Sequence, residues 1–106
     1  ILYKMIHPQI YVGLKLKPKQ VNLISIFEMV CEKLNVHPKE VKGRTRFEEI
    51  VRARIVYSIL ALNNGYTLRE VGELINRHHA SIIHYKDEFK YMKYNPRLEE
   101  DYHKCI

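Results

Sequence analysis

Apolar residues recur along this chain at helical spacing in several blocks separated by turn signals, and the blocks predict helices. Val21, Ile24, Phe27, Val30 and Leu34 mark a first long helix over Pro18 to Asn35, with Glu28, Glu32 and Lys33 on its polar side. Val36-His37-Pro38 redirects the chain, and Pro38 suits the first position of one short turn, Pro38 to Val41. Ile50, Val51, Ile55, Ile59 and Leu62 give the buried side of a helix over about Phe47 to Leu62, flanked by Arg52 and Arg54. Asn63-Asn64-Gly65 ends it, with Gly65 suited to a left-handed cap. Thr67 and Glu70 have the spacing of a capping box, and Tyr66 is placed to staple to Val71. Leu68, Val71, Leu74 and Ile75 share one face, and Val71 and Leu74 are expected to pack on the helix that follows.

Asn76-Arg77 interrupts that face after little more than two turns. A new stripe, Ile82, Tyr85, Phe89 and Met92, then begins at spacings of three and four. Two short amphipathic helices joined by a tight turn describe a helix-turn-helix. Gly72 in the first of them costs about 1 kcal/mol relative to Ala and suits a close helix crossing. Asn95-Pro96 breaks the second helix near Tyr94. A last short helix is expected over Arg97 to His103, with Glu99-Glu100-Asp101 on a solvated face. No block predicts a sheet in this part of the chain, so the fold class is all-α, a multi-helix bundle around the helix-turn-helix.

Residues 1–19 are read as an N-terminal extension and 20–106 as the helix-turn-helix domain. Pro8, Gly13 and Pro18 rule out a continuous helix in the extension, and Ile10-Tyr11-Val12 suits a short strand or an arm. An ordered extension packed on the core is favoured over a basic arm touching phosphate. At 106 residues the chain can bury a core without staples.

Eighteen Lys and Arg against twelve Asp and Glu give a net charge of +6, which favours an anionic partner. Lys42-Gly43-Arg44-Thr45-Arg46 concentrates that charge, with three cations and no acid. Such a run is usually a solvated loop, but beside a helix-turn-helix it is well placed for phosphates or a narrow minor groove. In that motif the first turn of the second helix meets base edges in the major groove. Here the turn carries His78, His79, Ala80 and Ser81, none of which the core needs.

Catalytic readings fare poorly. His78, His79 and His84 offer no i,i+4 pair, and HExxH is absent, so no metal site is expected. Ser81 beside His79 is better read as a helix-start residue than as part of a triad. Cys31 and Cys105 fit neither CxxC nor zinc spacing, which suits a reduced cytoplasmic protein. No apolar run approaches a membrane span, and no signal-peptide pattern opens the sequence. The four glycines include no GxxxxGK[ST] loop, so no nucleotide is expected in this chain, nor any other cofactor.

Taken in order, these pieces resemble the C-terminal DNA-binding domain of the bacterial replication initiator DnaA. The likeness starts at Ile26 to Val41, IFEMVCEKLNVHPKEV, and continues through the basic loop and Val51-Arg52-Ala53-Arg54. Leu68 to Gly72 resembles the family's L-x-E-I-G. Arg77 to His84, RHHASIIH, resembles its signature R-D-H-T-T-V-L-H. The resemblance implies a minor-groove arginine at Arg44 or Arg46, a phosphate contact at Arg54, and base contacts from His78, His79, Ala80 and Ser81. Thr67 and Arg77 complete the DNA-binding set it implies.

Departures from the pattern bear on the preferred site. His78 stands where the family has Asp, which accepts from a base amino group, whereas a neutral imidazole can donate or accept. Ala80 replaces a Thr but keeps a methyl, Ser81 keeps only the hydroxyl, and Asn76 stands for a Gly pair. The expected function is sequence-preferring binding of double-stranded DNA in replication initiation or its control. Replication proteins are further candidate partners. A transcriptional regulator on the same scaffold, or a protein-interaction module of the replication machinery, is the alternative. With no ATPase loop present, the chain is either a fragment of a longer initiator or a stand-alone protein; Ile1 to Lys19 does not resemble the tail of an ATPase domain, which favours a stand-alone protein of phage or mobile-element type, nucleoid-associated in the cytoplasm.

Overall fold

The computed structural model describes residues 21–106, and the N-terminal extension lies outside them. Among the described residues there are six α-helices, one 3-10 turn and no strand. Helix α1 spans Leu23–Lys33, α2 Pro38–Lys42, α3 Glu48–Asn63, α4 Leu68–Leu74, α5 His79–Lys90 and α6 Pro96–Lys104. The 3-10 turn Met92–Tyr94 links α5 to α6.

Local chemistry sets most of the boundaries. Asn22 starts α1 by accepting from the Ile24 N–H at 2.8 Å, and Asn95 does the same for α6 through the Leu98 N–H at 3.2 Å. The capping box of α4 closes in both directions. Thr67 Oγ1 accepts from the Glu70 N–H at 3.1 Å, and Glu70 Oε1 accepts from the Thr67 N–H at 2.9 Å. Helices α1, α3 and α4 each stop on a left-handed residue: Asn35 at φ 54°, Gly65 at φ 95° and Asn76 at φ 57°. In all three the amide of the left-handed residue and the amide after it fold back on the last turn, for instance Val36 N–H on the Cys31 carbonyl at 3.0 Å. This is the Schellman arrangement.

Helix α3 is the axis of the fold and packs against all five of the other α-helices. Every residue from Ala53 to Ala61 is buried, so the helix has no solvent face over that length. The one-sided stripe expected from Ile50, Val51, Ile55, Ile59 and Leu62 is therefore too narrow, and Val51 and Leu62 are only half-buried. Small residues let neighbours approach on the remaining sides, and the polar ones are satisfied internally. Ser58 Oγ donates to the Arg54 carbonyl at 2.7 Å, and Tyr57 Oη donates to the Val71 carbonyl at 2.9 Å.

Three expectations need correction. Ile24 is 54% exposed, and α1 buries Ile26, Phe27, Val30 and Cys31 instead. A strict spacing of three falls about 60° short of a turn at each step, so it walks off the buried stripe. Asp101 is not solvated: it is 8% exposed, and its carboxylate takes the Arg52 guanidinium at 2.7 Å, joining α6 to α3. Leu74 is half-buried, while Ile75 is fully buried beside Val71 and Ile82 in the core.

The core makes two measurable demands. Ile75→Ala should destabilise the protein by about 2–5 kcal/mol in urea unfolding, and Leu74→Ala by distinctly less. Equal losses would misplace the helix-turn-helix core. Burial also pushes the Cys31 and Cys105 thiols from 9.0 to about 11. The folded state then holds protons that the unfolded chain releases. That stability is complete below pH 9 and is lost as pH rises towards 11. The urea midpoint should fall across that window, and less so in a Cys31→Ala, Cys105→Ala double variant.

Candidate nucleic-acid interface

The turn between α4 and α5 is built on a backbone approach that only glycine allows. A Cβ on Gly72 would lie 2.4 Å from the Arg77 carbonyl oxygen and 3.4 Å from Ile82 Cγ1. The Arg77 N–H donates to the Gly72 carbonyl at 2.8 Å, and Asn76 supplies the left-handed residue between them. Helix α5 thus leaves the turn tightly against α4, with Ile82 and Tyr85 buried and its first turn facing out.

That first turn gathers the residues expected to read bases. His78 is the N-cap, and its Nδ1 accepts from the Ala80 N–H at 3.2 Å. His79 opens the helix with its ring centroid 4.0 Å from that of His78. His78, His79 and Ala80 are exposed, and Ser81 is half-buried one position further. Thr67 sits at the start of α4, exposed, with its hydroxyl engaged in the capping box.

The basic loop is fastened to this turn. Arg54 is 3% exposed despite its charge. Its Nε donates to the Val41 carbonyl at 2.9 Å, and its Nη2 to the Glu40 and Gly43 carbonyls at 2.9 and 3.1 Å. Arg77, half-buried, donates to the same Gly43 carbonyl from the other side. Asn76 Nδ2 adds a longer contact to the Lys42 carbonyl at 3.4 Å. Burial first, and the Arg77 charge second, pull the Arg54 guanidinium below its ordinary value. Even so, an arginine stays charged at any physiological pH.

Arg54, for which a phosphate contact was expected, is buried with its Nε and Nη2 turned inward to the α2 end and the loop. Arg77 is likewise occupied in holding the turn. Lys42 lies over the Phe27 ring, 5.2 Å from the centroid. Arg44 and Arg46, by contrast, are exposed on the loop so held. The structure therefore leaves Arg44, Arg46, His78, His79 and Ala80 exposed and Ser81 half-buried, while Arg54 and Arg77 fasten the start of the loop to the turn. Sequence reasoning missed Gly43, whose carbonyl receives both arginines. Its one signal was a glycine inside a cationic run.

Two short helices locked across Gly72, the second presenting its first turn to solvent, define a helix-turn-helix domain. More particularly, the chain belongs to the bacterial DnaA protein helix-turn-helix family, whose model matches residues 24–87. It is 29% identical over 75 residues to the chromosomal replication initiator protein DnaA of Campylobacter concisus, covering 67% of this chain and 17% of that protein. It is 28% identical over 98 residues to the protein of the same name from Kosmotoga olearia, covering 90% of this chain and 21% of that one. The chain thus spans about a fifth of the length of these relatives. Comparison with solved structures gives no significant match.

The framework role of Arg54 can be separated from a contact role. Arg54→Met removes the side-chain donor from the Val41 carbonyl and leaves the Glu40 carbonyl only the Gly43 N–H, and should cost on the order of 3 kcal/mol. Amide exchange of residues 42–46 should accelerate with it. Arg44→Ala should leave the thermal melt within about 0.5 kcal/mol of the parent. Similar melts for the two variants would remove Arg54 from the framework.

Proposed function

We propose that this domain binds double-stranded DNA with sequence preference and serves replication initiation or its control. The observation that carries the proposal is the clasp at Gly43, which holds an exposed two-arginine loop in fixed register with the exposed first turn of α5. A helix-turn-helix presents that turn to base edges in the major groove. A loop arginine beside it is placed for the neighbouring phosphates or for a minor groove of enhanced negative potential. His78, His79, Ala80 and Ser81 would then read bases, and Arg44 and Arg46 would supply charge. The net charge of +6 agrees with this division of labour. Replication enters through the family, since both relatives are named chromosomal replication initiators.

Titrating the protein with random-sequence duplex at several salt concentrations tests the electrostatic part. If about five phosphates are neutralised, log affinity should fall against log salt with a slope of roughly −4 to −5. Arg44→Ala or Arg46→Ala should flatten it by about one unit. An affinity indifferent to salt would sink the reading.

A further inference from the structure

The N-cap hydrogen bond of α5 fixes which edge of His78 faces a partner. Nδ1 accepts from the Ala80 N–H at 3.2 Å, so in the neutral ring that nitrogen carries no proton. The hydrogen-bond network thereby assigns the proton to Nε2, at the far end of an exposed ring. The His79 ring, 4.0 Å away and tilted by 37°, closes one side against rotation. Protonation does not change the polarity of the outer edge. A cationic ring would give up the Ala80 bond but would still carry its proton on Nε2. In both states His78 offers the outside a donor. The alternative raised by the sequence, a neutral ring accepting from a cytosine or adenine amino group, loses its acceptor to the helix.

We propose that His78 is a specificity-determining residue that selects an acceptor-bearing base edge in the major groove. Guanine comes first, with O6 and N7 side by side; adenine N7 and thymine O4 are the other acceptors. Cytosine, whose major-groove group is the N4 amino donor, is selected against. This rests on the DNA-binding reading above and adds the sign of one contact to it.

The test compares the parent with His78→Asn and His78→Asp. Both replacements are good N-caps, so the helix start survives in each. With Oδ1 capping, Asn turns an amino donor outward, whereas Asp turns an acceptor outward. All three proteins are put through selection on a random duplex library at one salt concentration. The selected duplex is then re-measured with the position that differs between the libraries replaced. The parent and His78→Asn should share an acceptor-bearing base there and lose about fivefold to tenfold in affinity on change to cytosine. His78→Asp should prefer cytosine at that position. A parent that selects cytosine there, or an Asp variant with the parent's motif throughout, would overturn the assignment while leaving DNA binding intact. If the parent retained no duplex, the underlying reading would fail, and this proposal with it.

Discussion

The guanidinium of Arg54 lies out of water, with the carbonyls of Glu40, Val41 and Gly43 arranged around it. Among the described residues no carboxylate pairs with it, and the three backbone dipoles take the place of solvent. Burying a charge without hydrogen bonds is very costly, so these carbonyls are the condition for burying the cation. The consequence is geometric. The end of α2 and the start of the basic loop are tied to the middle of α3, the most buried helix in the fold. Gly43 then passes the constraint on, because its carbonyl also receives Arg77 from the helix-turn-helix. A loop that composition alone would leave solvated becomes part of the same rigid unit as the turn.

Helix α3 serves the other side of that unit through Tyr57. Its hydroxyl donates to the Val71 carbonyl inside α4, and its ring meets Phe27 edge-on with centroids 5.5 Å apart. One residue therefore spans α1, α3 and α4. Burial pushes the phenol up, so it stays a donor throughout the neutral range. With Ile75 and Ile82 closing the gap between α4 and α5, the angle of α5 is set by core packing rather than by its exposed turn. The exposed residues His78, His79 and Ala80 are then free of any duty to the core.

What could be read in the sequence was what local chemistry decides. The Thr67-Glu70 box, the Gly65 stop and the Pro96 break each rest on residues within four positions of the backbone they serve. The two-helix pattern around Asn76-Arg77 was legible for the same reason. Long-range partners were not. Nothing near Asp101 announces Arg52, which lies in α3, and a run of acids in a polar helix looks solvated until its partner is placed. Arg54 looks like any arginine on a basic stretch until the carbonyls of α2 are seen to surround it. The choice between Leu74 and Ile75 likewise depends on the crossing angle of α5. Both fit the stripe, and only the neighbour decides.

His78 shows how one position can serve the helix and the surface at once. Its inner edge must accept, because the Ala80 N–H at the start of α5 has no turn before it. Asp, Asn and Ser meet that demand at least as well, and Asp adds a favourable charge at the positive end of the helix dipole. His37 caps α2 in the same way, accepting from the Lys39 N–H at 3.1 Å, so the use of imidazole is not peculiar to the helix-turn-helix. The cap therefore constrains the inner edge and leaves the outer one to vary. A change among these residues keeps the fold while altering whether the surface donates or accepts. At this position the demand of the helix start and the character of the surface are separable by chemistry, although they share a side chain.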